Sequence, residues 1–182
     1  PSHVGELAAN PFRSDWKGSL FDNFDKMQQT GTFSAPMLRS QVPAGKAVLR
    51  SCITFHVKYG NTANINDLYS RTCADGSSMR VGVDFHNSYS PVGSIDSIRL
   101  IVALAASQGL QLFVLDISNA FQNSIIFDPL ERIYITLPSF YLEWFTSKWP
   151  DYQLPSKLSK DLVLEGLKSL QGEKDAGHRW YK

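Results

Sequence analysis

Cysteine is scarce in this sequence, whose 182 residues carry only Cys52 and Cys73. Two thiols are too few for a disulfide framework and lack the paired spacing of a zinc site, so both are expected to be free in a reducing compartment. Long apolar runs are missing too: none approaches the roughly 20 residues that cross a bilayer. The first residues show neither a basic start leading into an apolar stretch nor a cleavage site. A membrane or secretory destination is therefore unsupported. Internal repeats and low-complexity tracts are absent. Most telling is a local lack of negative charge. No carboxylate falls between Asp25 and Asp67, whereas Lys26, Arg39, Lys46, Arg50 and Lys58 do, in a chain whose net charge is only +1. That stretch carries an uncompensated positive field, for which phosphate is a natural partner and a solvated basic face the plain alternative.

The remaining composition is that of an ordinary soluble domain, and one or two compact units are expected. The opening residues read as irregular. From about Asp15, Trp16, Leu20, Phe24 and Met27 form one apolar stripe at helical period, predicting a helix that ends near Gly31. Over 48–59 the pattern alternates, with Ile53, Phe55, Val57 and Tyr59 on one parity, predicting a half-buried strand. Residues 60–67 are rich in Asn and Gly, as a turn should be, and 68–74 return as a second strand. Lys58 and Arg71 would then sit near the tip of this hairpin on opposing strands. Cys52 and His56 cannot share a metal ion there, because four residues of extended strand span about 13 Å.

Ser94 can cap a helix over 94–107 whose broad apolar surface implies burial, with Gly109 as its stop. A near-continuous apolar run over 110–115 has strand length and ends at Asp116. A further strand is expected over 133–137, closed by Pro138. The aromatic, Pro-containing stretch 141–155 reads as an irregular insertion. A short strand or helix over 162–170 precedes Gly172, and a polar, basic end follows.

Asp116 is the most informative position. Strand parity places it with Leu112 and Val114, on a face that is either buried or lines a site, and a carboxylate there needs a partner. It can cap the next helix, pair with a base, or hold a metal ion.

The words around Asp116 narrow the choice. Leu115-Asp116-Ile117-Ser118-Asn119-Ala120-Phe121 closely resembles the first catalytic motif of copia-type retrotransposon reverse transcriptases. Other pieces follow the order of that family: Asp15-Trp16, Gly31-Thr32, Gly45-Lys46, Phe55 with Lys58 and Arg71, and Gly82-Val83-Asp84-Phe85. So do Ser90-Pro91-Val92, the Ser97-Ile98-Arg99 helix with its Ala103-Leu104-Ala105-Ala106 stretch, Ile133-Tyr134 with Pro138, and Lys168-Ser169-Leu170 with Gly172, Lys174, Ala176 and Trp180-Tyr181. Each piece alone is weak, but the collinear order covers nearly the whole chain.

This resemblance implies an α+β fold of the right-hand polymerase type, comprising fingers and an incomplete palm. Its expected segments are an N-terminal helix and fingers hairpin (1–91), a partial palm (92–123), and the remaining fingers with the start of a second palm segment (124–182). It implies two-metal nucleotidyl transfer, with Asp116 as one of three carboxylates holding two Mg²⁺ ions, since hard cations on phosphate prefer oxygen ligands. The backbone amides of Ile117 and Ser118 would meet the triphosphate of the incoming deoxynucleotide. Phe121 would lie under the sugar, or else be a core aromatic. Lys58 and Arg71 would clamp the triphosphate, Arg being suited to bidentate phosphate contact. Gln171 and Gly172 would touch the nucleotide and template, although Gly172 is also a plain turn residue. Implied partners are an RNA or DNA template with a DNA primer, deoxynucleoside triphosphates, and the missing palm, connection and RNase H segments of a Pol polyprotein. An intracellular setting, in a cytoplasmic particle or the nucleus, follows.

The sequence also departs from the family. The other two carboxylates come from a Tyr-Val-Asp-Asp-like turn farther downstream, and no Asp-Asp pair occurs among the 182 residues. A fragment that does not polymerise by itself is expected, with apolar surface exposed where further palm strands would lie. Ser70 replaces a Lys usual before Arg71, His56 stands where a base is frequent, and Glu173 and Asp175 interrupt the usual Gly-Leu-Lys-Gln stretch. A second reading is a non-catalytic nucleic-acid-binding or structural remnant that keeps the basic hairpin.

Overall fold

In the computed structural model, which describes residues 1–59, 65–156 and 158–181, the predicted apolar stripe forms helix α1 (Arg13–Gln29). Trp16, Leu20, Phe24 and Met27 are all buried along it. Gly31, at φ +63°, ends the helix where expected. The opening residues are more ordered than the sequence suggests: Val4–Ala9 make a 3-10 turn that buries Leu7.

The predicted 48–59 strand is two strands. β2 (Val48–Leu49) and β3 (Ser51–Tyr59) separate at Arg50, whose carbonyl accepts the Asp75 N–H at 2.7 Å, and the chain changes sheets there. β3 pairs antiparallel with β4 (Ile65–Ala74), from Ser51 opposite Ala74 to Tyr59 opposite Ile65. The return strand starts at Ile65 and not at 68, because Lys58 and Tyr59 recruit Asp67 and Ile65 into the ladder. Part of the predicted turn, 60–64, lies outside the described residues. Cys52 and Cys73 are free thiols facing one another across this ladder.

A two-stranded ribbon leaves an edge of unpaired backbone groups that must find partners. Along β4, successive outward N–H groups do so with different neighbours. Ser70 N–H donates to Ser19 Oγ at 2.8 Å, Thr72 N–H to Asn23 Oδ1 at 3.0 Å, and Ala74 N–H to the Gln171 carbonyl at 2.8 Å. Helix α1 thus covers most of the edge, helped by an edge-to-face contact of Trp16 and Phe55 at 5.2 Å, and the turn at Gln171 covers its end.

The second sheet has the order β1 (Met37–Leu38), β6 (Leu162–Gly166), β5 (Ile133–Thr136), β2, with β2 parallel to β5 and the other pairs antiparallel. Its centre is the core, where Ile133, Ile135, Leu162 and Leu164 pack against Leu20, Phe24 and Leu49. The 162–170 segment is thus a strand over its first half only.

One expectation about an irregular segment is corrected. The stretch 141–155 is not an irregular insertion: Tyr141–Lys148 form helix α3, with Tyr141, Trp144 and Phe145 buried. Their i, i+3, i+4 spacing makes one apolar face, and Phe24 of α1 receives it at centroid distances of 5.1 Å to Tyr141 and 5.5 Å to Trp144. Trp144 Nε1 donates to Asp25 Oδ1 at 3.0 Å, which satisfies the buried indole. The polar, basic end forms helix α4 (Ala176–Tyr181), held by the buried Asp175–Arg179 ion pair and by Arg179 stacking 4.1 Å from the Phe127 ring centroid.

Helix α2 (Ile95–Gln108) starts and stops where predicted. Ser94 Oγ accepts the Ser97 N–H at 3.1 Å, and Gly109 adopts φ +62°. Its apolar surface is not buried, however: Ala105 alone is, while Ile98, Leu100, Ile101 and Leu104 are exposed. Residues 110–115 form no strand, because no described strand lies beside them to complete a ladder, and Val114 is 96% exposed. The face shared by Leu112, Val114 and Asp116 is open to solvent. Among the described residues no helix is long and apolar enough to cross a membrane.

Candidate functional site

Four segments meet around an open cleft of about 510 Å³. Lys58, Tyr69 and Arg71 come from the hairpin, Asp116, Ile117, Ser118, Asn119, Ala120 and Phe121 from the segment after α2, Gln171 from the turn after β6, and Lys26 from the last turn of α1.

Register explains the hairpin's contribution. Lys58 lies opposite Asp67, His56 opposite Tyr69 and Thr54 opposite Arg71, so Lys58, Tyr69 and Arg71 share one face while Phe55, Ser70 and Thr72 turn towards α1. The Tyr69 ring sits between the two cations, with Lys58 Nζ 5.2 Å and Arg71 Cζ 4.9 Å from its centroid. Lys58 is near the tip, as expected, but Arg71 is not. Four residues separate Asp67 from Arg71, about 13 Å of strand, so the two cations are spread along the hairpin. Ser70 is buried on the opposite face, away from the cleft.

Asp116 is exposed, and among the described residues it has no ion-pair partner. It caps no helix: the 3-10 turn Ala120–Asn123 is preceded by Asn119, in the left-handed region at φ +54°. Of the two possibilities that strand parity left open, burial is absent, and the carboxylate lines the cleft. The Ile117 and Ser118 amides donate to no protein acceptor among the described residues. Phe121 stands in the same turn and lines the cleft.

Gln171 reaches the cleft because its carbonyl is bound by Ala74 N–H. Gly172 does not line it and instead packs against the hairpin backbone at φ +95°. The two acidic residues that break the family pattern hold this turn from behind. The buried Glu173 carboxyl accepts the Leu170 N–H at 2.6 Å, and burial pushes its pKa up to about 8. Asp175 pairs with Arg179, whose guanidinium also donates to the Glu131 carbonyl at 3.3 Å.

The cleft is electropositive. Lys26, Lys58 and Arg71 face the single carboxylate of Asp116. Two other cations of the basic stretch are committed elsewhere: Arg50 pairs with Asp75 at 2.8 Å and Lys46 donates to the Leu130 carbonyl at 2.6 Å. Tyr69 was available to sequence reasoning as the residue sharing a face with Arg71; no sequence signal singled out Lys26 from its basic neighbours. Among the described residues no three His, Cys, Asp or Glu side chains are placed to hold a metal ion.

The family model described as reverse transcriptase (RNA-dependent DNA polymerase) matches residues 41–182. The Retrovirus-related Pol polyprotein from transposon TNT 1-94 of Nicotiana tabacum is 27% identical over 181 residues, which is 100% of this chain and 12% of that polyprotein. The Retrovirus-related Pol polyproteins from transposons RE1 and RE2 of Arabidopsis thaliana are 28% and 27% identical over 127 residues, 70% of this chain and 8% of each polyprotein. The chain thus spans a small part of the curated relatives it matches. No solved structure gives a significant match.

Proposed function

Because this chain belongs to the reverse transcriptase (RNA-dependent DNA polymerase) family, we propose that it supplies the fingers and the first part of the palm of a copia-type retrotransposon polymerase, and that its cleft receives the incoming deoxynucleoside triphosphate. The observation that carries this reading is the convergence of Asp116, Lys58, Arg71, Phe121 and Gln171, from separate parts of the sequence, on one electropositive cleft.

In this reading Lys58 and Arg71 hold phosphate oxygens, with the Arg71 fork making paired contacts and Tyr69 keeping both cations extended over the cleft. The unengaged amides of Ile117 and Ser118 donate to the same phosphates, as backbone nests do for anions. Phe121 offers an apolar surface for the sugar, and Gln171 an amide for the base or template. Template RNA or DNA and primer DNA, together with the rest of the palm, the connection and the RNase H segment of a Pol polyprotein, are the partners. Asp116 is one hard-oxygen ligand for Mg²⁺. Among the described residues no other carboxylate lines the cleft, so the donor set does not fit a metal pair and no bond-making step is assigned to this chain alone. Its own chemistry is phosphate binding and nucleotide positioning.

Photolabelling with 8-azido-dATP tests this. Labelled peptides from 51–59, 65–74 or 116–123, suppressed by unmodified dATP, are the expected result. Labelling elsewhere, or labelling that dATP does not suppress, overturns it. The excess of cations over carboxylates in the cleft also suits a nucleic-acid-binding remnant without catalysis. A chain that binds a short single-stranded oligonucleotide while 8-azido-dATP does not label it and dATP does not compete supports that second reading.

A further inference from the structure

We propose that Lys26 is a third phosphate-binding cation of the cleft, acting with Lys58 and Arg71 on a linear triphosphate; this rests on the nucleotide reading above and adds a residue outside the 41–182 segment matched by the family.

The docking of α1 brings Lys26 to the cleft. Ser19 and Asn23, one helical turn apart, accept the N–H groups of Ser70 and Thr72, two strand residues apart. Four helical residues rise about 6 Å and two strand residues about 6.6 Å, so helix and strand run in step. Continuing the same step brings Met27 level with Ala74, both of them buried in the core, and the Ala74 N–H turns to Gln171. Lys26 is therefore at the level of Ala74 and the Gln171 turn, at the base of the hairpin. Lys58 is near the tip and Arg71 lies between.

Charge supports the assignment. Asp25, next in sequence, does not neutralise Lys26: its carboxylate is bound at 3.0 Å both by Trp144 Nε1 and by Lys148 Nζ, on the α3 side of the helix. Among the described residues neither Lys26 nor Arg71 has an acidic partner, and the Lys58 contact with Asp67 is a long 4.0 Å. Cations distributed from the base of the cleft to its tip, facing one carboxylate, suit an extended chain of phosphates better than a single phosphate ion. Because Lys26 is exposed and, among the described residues, has no ion-pair partner, removing its charge isolates the binding role.

Calorimetric titration of the full chain with inorganic triphosphate and with dATP, at several salt concentrations, tests the proposal. Lys26→Gln is expected to weaken both by about tenfold, as loss of one charge-assisted contact does, and to reduce the slope of log K against log salt by about one. Lys160→Gln, a cation outside the cleft, should leave both unchanged, and unaltered melting of each variant confirms folding. If Lys58→Gln and Arg71→Gln weaken triphosphate binding while Lys26→Gln does not, this proposal fails and the nucleotide reading survives. If the unaltered chain binds neither ligand, both fail. If Lys26→Gln weakens only a 12-nucleotide single strand, Lys26 serves a nucleic-acid backbone and the triphosphate assignment is overturned.

Discussion

Gly172 lies so close to Ala74 that a Cβ built on it would stand 2.0 Å from the Ala74 carbonyl oxygen. Gly76 approaches from the other side, where its Cβ would meet the Gly172 carbonyl oxygen at 2.2 Å. Such approaches need glycine at positions 172 and 76, where any Cβ would strike the facing carbonyl, and that meeting sets Gln171 at the edge of the cleft. Gly172→Ala combines a left-handed φ with a backbone clash and is expected to destabilise the chain by about 2–4 kcal/mol. The readout is a lowered urea midpoint at unchanged slope. An unmoved midpoint would show that the turn is free to shift.

Glu173 makes stability depend on pH in a direction opposite to that of most carboxylates. Burial, reinforced by the neighbouring charge of Asp175, pushes its pKa from an ordinary 4.5 to about 8, against the opposing effects of the Leu170 N–H and Arg179. The folded carboxyl keeps its proton to higher pH than the unfolded one. Its stabilising contribution is therefore complete below about pH 4.5 and is lost as pH rises through about 8. The melting temperature should fall across that window, and Glu173→Gln, which still accepts the Leu170 N–H, should flatten the fall. An equal fall in both proteins would assign the effect to another group.

Arg179 is buried between Asp175, the Glu131 carbonyl and the Phe127 ring. Arg179→Ala strands the Asp175 carboxylate away from water, and a loss of about 3–5 kcal/mol is expected from denaturant melts. Replacing both partners, as Arg179→Met with Asp175→Leu, should recover much of it. A double variant as unstable as the single one would count against the ion pair as the cause.

Trp144 is 1% exposed within the aromatic cluster that joins α3 to α1. Trp144→Ala is expected to cost about 3–5 kcal/mol. Near-ultraviolet circular dichroism should lose its aromatic signal in parallel, whereas a loss under 1 kcal/mol would mean that α3 is not part of the core.

Helix α2 shows a contiguous apolar surface to solvent. The chain is expected to self-associate at micromolar concentration, and Ile98→Glu with Ile101→Glu to reduce that association without loss of helix, since Glu is a good helix former. Sedimentation velocity reads the outcome, and a monodisperse unaltered chain would contradict it.

Much of this architecture was legible in the residues. The stripe of α1 and the Ser94 and Gly109 boundaries of α2 are local signals that stand where they were read, whereas the alternation over 48–59 holds as one strand only from Ser51, because the chain changes sheets at Arg50. Segment 110–115 misled because an apolar run has the same composition whether or not a neighbouring strand completes its ladder. Helix α3 was hidden for the reverse reason: Tyr141, Trp144 and Phe145 carry helical spacing, but Trp149, Pro150 and Pro155 made the stretch look irregular until Phe24 supplied the opposing face. In the cleft, Asp116, Ile117, Ser118, Phe121, Lys58, Arg71 and Gln171 were singled out from the sequence and line one space, while Tyr69 and Lys26 were not recognised.

The sequence alone determined helices α1 and α2 with their ends, the existence of the hairpin, and which residue types carry the chemistry, since periodicity, capping and charge are properties of neighbours in the chain. Only the tertiary structure decided that Lys26 joins the cleft and that Gly172 stays outside it. Those placements depend on which element satisfies the free edge of β4, and the hydrogen bonds that settle it join residues 49 positions apart or more.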